Sequence, residues 1–217
     1  MVQPASGSAR GGRTPGGAAP GARRPRRSSA ARRADVLAAA RRLFAAQGFH
    51  ATSTRELADA ADINDALLYR YFPSKEAILA ALVDQAITAF QALPAATPPS
   101  DLSTAELLEL VGTAFVHTAT GQVDLLTILI SEHHTLADDH RFVEFIHHAA
   151  MNLGQLLDRA TGPDTRASGY LTARAYMGSL IAFVILQDVL GLSAVEPVDP
   201  AEYIHHLATL TARGLGA

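Results

Sequence analysis

The chain has 217 residues, 48% of them hydrophobic, and a formal net charge of -3 at pH 7, enough to bury one sizeable core or a small domain beside a larger one. Cys is absent, which excludes disulfides, thiolate metal centres and cysteine nucleophiles together. The net charge conceals an asymmetry, with 13 basic and six acidic side chains in residues 1–83 and five and 15 in residues 84–217, the footprint of a protein that docks one end on phosphate.

Residues 1–30 are mostly Gly, Pro, Ala, Ser and Arg, without hydrophobic periodicity or the apolar run of a secretion signal. A disordered basic extension is expected there. It can follow a phosphate backbone or serve as a passive leader, and both readings stand. From about Arg32 to Gln47, Val36, Ala39, Ala40, Leu43 and Phe44 mark an amphipathic first helix, stopped by Gly48.

The next stretch, Thr52 to Lys75, is the most informative. Ser53 precedes Glu56 by three residues, the spacing of a capping box. Leu57, Ala58 and Ala61 form a small apolar face, and Asp62 stands where the turn needs a left-handed backbone. Asn64 is placed to cap a further short helix, on which Leu68 and Phe72 point inward over Ile63. Ala66, Leu67 and Arg70 then face outward with Tyr69 on the flank. This is a helix-turn-helix, a form suited to a major groove. Ser53 and Thr54 sit at a helix amino end that favours a phosphate, and Tyr69, Tyr71 and Lys75 are placed to reach phosphates beside the groove. Arg55 and Arg70 are candidates for guanine, Ala66 and Leu67 for a thymine methyl, and Asp65 for cytosine.

These residues carry a resemblance. Gly48-Phe49, Thr52-Ser53-Thr54-Arg55, Leu57-Ala58, Ile63, Leu68-Tyr69-Arg70-Tyr71-Phe72 and Lys75-Glu76 resemble the signature of TetR-family transcriptional regulators over roughly residues 32–80. The chain departs from that pattern in having Asp62 where the family usually has Gly, and Ala66-Leu67 where it often has Gly-Thr. The resemblance implies an all-α protein with an N-terminal three-helix DNA-binding domain and a C-terminal helical domain for ligand binding and dimerisation. The expected boundaries are 1–30 for the extension, 31–77 for the helix-turn-helix domain and 78–217 for the body. The implied partners are a palindromic double-stranded DNA operator, a second copy of the chain and a small-molecule effector, in the cytoplasm.

Pro73 and Ser74 open a fourth helix running through Ile78, Leu79, Leu82, Val83, Ile87 and Phe90, and a Pro-rich loop over 94–103 follows. Beyond it the spacing predicts helices at about 104–119, 123–134, 139–160, 165–190 and 200–214. The most apolar stretch, Ala175 to Leu192, places 13 residues between Arg174 and Asp188, too short to cross a bilayer, so no membrane is expected. A helix apolar on nearly every side needs cover on every side. Pairing of helices 165–190 and 200–214 with their copies in a second subunit would supply it, with Ile181 and Ile185 at the seam. Phe90, Phe115, Phe145, Met151, Tyr176 and Phe183 are the bulky candidates for an effector site of apolar or aromatic character.

Two rivals are weighed against this reading. A helical His/Glu metal-dependent hydrolase would draw on the histidine-rich body, where His140, Glu144 and His147 share a helix face and Glu132 or His133 would complete a weak site. No HExxH is present, and a solvated face is the commoner meaning of such a pattern. No metal, cofactor or enzymatic activity is expected. An architectural DNA-binding protein without a ligand is the second rival, and it leaves the large apolar body without a purpose.

Overall fold

The first helix, α1 (Ser29–Gln47), begins three residues earlier than its apolar pattern suggests, because the Ser28 hydroxyl accepts from the Ala31 amide. Gly48, at φ 84°, ends it. In the computed structural model the described residues are 28–91, 102–161 and 168–216, so the expectations for the N-terminal extension and the Pro-rich loop lie largely outside them. Among those residues the protein is all-helical: α1 is followed by α2 (Thr54–Ala60), α3 (Asp65–Tyr71), α4 (Lys75–Gln91), α5 (Thr104–Thr120), α6 (Val123–Ser131), α7 (Arg141–Thr161), α8 (Gly169–Val184) and α9 (Pro200–Gly214).

Two cores organise the helices. Val36, Phe44, Leu57, Leu68, Phe72 and Leu79 form the first, the centre of the head, and α6 enters it with Leu125 and Ile128. Leu108, Val116, Leu157, Tyr176, Leu180 and Ile204 belong to the second, the centre of the body. The long helix α4 contributes Ile78, Leu79, Leu82 and Ala86 to the first and Phe90 to the second. Between α5 and α6 the chain bends by 77° at Gly121 and Gln122. That elbow lets α6 leave the body and lie against α1.

α7 and α8 make the most extensive helix pair. Their close approach depends on Gly154, where an added Cβ would meet the Tyr170 backbone. Asp158 accepts from the Gly169 amide at 3.0 Å and secures the crossing. On the other flank of α8 the buried Tyr176 hydroxyl donates to Leu108 C=O at 2.6 Å, and burial pushes this phenol's pKa up.

The predicted helix 165–190 ends differently from its expectation. Its α-helical part stops at Val184, and residues Ile185–Val189 form a π-helical turn closed by Leu190 N–H to Ile185 C=O at 2.8 Å. A second correction concerns its surroundings. The stretch Gly169–Val189 is long and apolar enough to cross a membrane by length and composition; counting only between Arg174 and Asp188 understated it. Just 33% of its most apolar window is buried within this chain. α7, α5 and α9 cover one side, and Leu171, Leu186 and Leu190 remain exposed on the other.

Candidate nucleic-acid interface and body cavity

The helix-turn-helix is built by local hydrogen bonds. Ser53 and Glu56 close the capping box in both directions: Ser53 Oγ accepts from the Glu56 amide, and the Glu56 carboxylate accepts from Ser53 N–H at 2.7 Å. Those bonds from the Ser53 backbone and hydroxyl hold the Glu56 carboxyl below its ordinary pKa. Asp62 takes φ 54°, the one non-glycine in the left-handed region among the described residues, and Arg32 donates to its carbonyl at 3.2 Å. Asn64 Oδ1 accepts from Leu67 N–H at 2.8 Å and starts α3. Thr52 is buried, donating its hydroxyl to Gly48 C=O at 2.8 Å. That bond turns the chain from α1 into α2.

With Leu68 and Phe72 packed inward, α3 presents Asp65, Ala66, Tyr69 and Arg70 to solvent and leaves Leu67 half-buried. Thr54 is half-buried and Arg55 exposed on α2, and the Tyr69 hydroxyl donates to Thr54 Oγ1 at 3.4 Å. This bond joins the outer edges of the two helices. Ser53 is exposed, but its hydroxyl is engaged with Glu56. Arg55 and Arg70 have no side-chain partner among the described residues.

Two candidates stand elsewhere. Tyr71 is half-buried and packs on the head core. Lys75 turns inward: its ammonium donates to Phe49 C=O at 2.7 Å and Thr52 C=O at 2.9 Å, and lies 4.3 Å from the centroid of the Phe49 ring. Both carbonyls belong to the loop between α1 and α2, which supplies no helical partner for them. Lys75 is thus committed within the head as it stands.

Three side chains join head to body, a role that the sequence did not reveal for any of them. Arg41 of α1 reaches the α5–α6 elbow, donating to Gly121 C=O at 3.2 Å, Gln122 Oε1 at 3.0 Å and Asp124 Oδ2 at 3.3 Å. Glu132, buried at the end of α6, accepts from Phe49 N–H at 3.2 Å and from Thr135 Oγ1 at 3.2 Å. Arg141 pairs with Asp139 and with Asp84 of α4. The hydrogen bond from Arg141 holds the Asp139 carboxyl below its ordinary pKa. Arg41 and Glu132 each find a partner 83 residues away, so no local spacing announces them.

Inside the body lies a cavity of about 360 Å³. Phe90, Phe115 and Phe145 line it, joined by Leu126, Leu129 and Ile130 of α6 and by Met177, Ile181 and Ile185. Met151, Tyr176 and Phe183 do not. Met151 is partly exposed, Tyr176 is tied to Leu108, and Phe183 stacks on Tyr203 with ring centroids 4.4 Å apart. Ile181 and Ile185, expected at the subunit seam, face the cavity instead. An all-apolar helix carries no periodicity to say which of its faces looks outward.

Among the described residues no group of three His, Asp or Glu side chains comes together in a way that would hold a metal. His147 Nδ1 lies 3.2 Å from the Tyr170 hydroxyl, and His148 Nδ1 lies 2.8 Å from Glu144 C=O.

Residues 36–82 match the family described as bacterial regulatory proteins, tetR family. A 67-residue stretch is 43% identical to the HTH-type transcriptional regulator EthR of Mycolicibacterium smegmatis, covering 31% of each chain; the match thus spans about a third of that relative's length. Among solved structures, the TetR family transcriptional regulator PfmR of Thermus thermophilus superposes with a TM-score of 0.67 at 24% identity, over 83% of this chain and 98% of that one. Salmonella enterica GusR gives 0.63 at 23% identity, over 88% and 98%. These structures share the fold, from head through body. It is over residues 36–82, the helix-turn-helix head, that the chain matches the tetR family of bacterial regulatory proteins.

Proposed function

We propose that the protein is a homodimeric, DNA-binding transcriptional regulator that works in the cytoplasm as a repressor and is released from its operator by a small apolar or aromatic molecule. The observation that carries the DNA reading is the outward face of α2 and α3. There two guanidiniums without partners among the described residues, Arg55 and Arg70, stand beside Thr54, Ala66 and Tyr69 on a scaffold capped at every turn. Arginine is the side chain that matches the two acceptors of guanine, and phosphate contacts fix register around it.

The effector reading rests on the cavity and on α6. One face of α6 lines the cavity with Leu126, Leu129 and Ile130, while Leu125 and Ile128 enter the head core. A molecule that shifts α6 therefore acts on the head through packing. Its effect on DNA binding equals its differential affinity for the two head positions. The exposed apolar side of α8 supports a second subunit as its cover. A dimer would set two heads about one helical turn apart, roughly 34–36 Å, on a palindrome.

Selection of binding sites from random duplexes tests the reading. The expected product is a two-fold symmetric site whose half-sites lie in successive major grooves. Equal binding to every duplex would refute sequence-specific regulation.

A further inference from the structure

The cavity is apolar along its walls but not at its ends. On α8 and the first residue of the π turn that continues it, the lining runs as Arg174, Met177, Gly178, Ile181 and Ile185, a single helix stripe that begins with a cation. The Arg174 guanidinium is exposed at the rim and donates one hydrogen bond, to the Tyr170 hydroxyl at 3.1 Å. That hydroxyl also lies 3.2 Å from His147 Nδ1. Among the described residues no carboxylate lies within ion-pairing distance of Arg174, and most of its N–H donors are free. The other charged group on the lining, Asp139, is already neutralised: Arg141 Nε donates to it at 2.8 Å. The cavity therefore offers an occupant a largely apolar interior with His133 on its wall, and one permanent positive charge without a carboxylate partner, that of Arg174.

We propose that the effector is an amphipathic organic anion, its apolar body among Phe90, Phe115 and Phe145 and its carboxylate on Arg174, with the Tyr170 hydroxyl beside it. This rests on the effector reading of the cavity and adds the charge of the ligand to it. A carboxylate meets a planar guanidinium through charge-assisted hydrogen bonds, the strongest available to it. A neutral occupant gains nothing from the guanidinium, which stays hydrated at the rim, and a cationic one is repelled. Asp139 does not alter this preference, because its own arginine holds it.

Calorimetric titration of the full chain with decanoate, decanol and decylammonium, each kept below micelle formation, tests the proposal. The expected order is decanoate tightest, by about tenfold or more over decanol, and decylammonium weakest. Arg174→Gln should abolish the gap between decanoate and decanol while leaving decanol unchanged. Gly178→Leu supplies a second check, because Gly178 lines the cavity and an added Cβ there meets nothing within 4 Å. That variant should fold and should lose both ligands. Decanol binding as tightly as decanoate would overturn the anion assignment and leave an effector cavity for neutral molecules. A decanoate preference that survives Arg174→Gln, or binding that survives Gly178→Leu, would overturn the site. Failure of all three probes to bind would remove the effector reading together with the proposal.

Discussion

The ammonium of Lys75 satisfies two loop carbonyls and lies against the Phe49 ring. Hydrogen bonds from a charged donor contribute about 1.5–3 kcal/mol each when partly shielded. Lys75→Met is therefore expected to lower the melting temperature of the head, with the salt dependence of DNA binding unchanged. A slope shallower by one counterion, at unchanged stability, would restore a phosphate role. The exposed arginines behave in the opposite sense. Arg55→Ala should leave stability within about 0.5 kcal/mol and relax preference at one base pair of each half-site by about 1–3 kcal/mol, measured by competition between operator and single-base variants. Equal losses on all sequences would show that Arg55 does not read bases. At the turn, Asp62→Gly should raise stability by up to about 1 kcal/mol, since glycine adopts a φ of 54° without a Cβ penalty. The Arg32 bond survives that change because it is made to the backbone carbonyl. Chemical denaturation measures the difference.

At the scale of the helix, α2 and α5 open with the same device. Ser103 and Glu106 repeat the box of Ser53 and Glu56, and the serine bonds hold both carboxyls below the ordinary value of 4.5. A carboxyl whose pKa is lower folded than unfolded contributes its full stability above the unfolded value and loses it as pH falls through the folded one. Helicity should therefore decline below about pH 4.5, and the double variant Glu56→Gln with Glu106→Gln should flatten that decline, as followed by circular dichroism. The box of Ser53 and Glu56 was legible in the sequence because cap and partner stand three residues apart, and so were Asn64, Asp62 and the inward Leu68 and Phe72. That of Ser103 and Glu106 has the same spacing, but its serine closes a Pro-rich stretch that reads only as the end of a loop. Other features were not legible, each for a physical reason. The π turn at Ile185–Val189 is held by Thr120 to Asp188 and Ser193 to Gln187, contacts that no helical spacing encodes. Tyr176 and Phe183 looked like cavity walls by size, but a hydroxyl aimed at Leu108 and a stack on Tyr203 took them into the core.

For the whole molecule, the question is what covers α8 and how head and body are held. Leu186 at 46% exposure and Leu190 at 69% are large apolar side chains with open surface, and Leu210 of α9 stands at 52%. Burying such surface contributes roughly 25 cal/mol per Å², which favours a second subunit. The protein is expected to sediment as a dimer at micromolar concentration, and Leu186→Arg with Leu210→Arg should yield a folded monomer whose cavity is intact. A wild-type monomer with a cooperative melt would remove the seam and the two-headed operator geometry with it.

The backbone of Phe49, held from two sides, has a further consequence. Its N–H belongs to Glu132 at the end of α6 and its C=O to Lys75 at the start of α4. That amide hydrogen is replaced by deuterium when the carboxylate lets go, by a local turn of the Glu132 side chain or by a wider opening between the α1–α2 loop and the end of α6. A change in its exchange rate on adding a candidate effector would report that this contact has loosened, and it can be read before a single operator sequence is known.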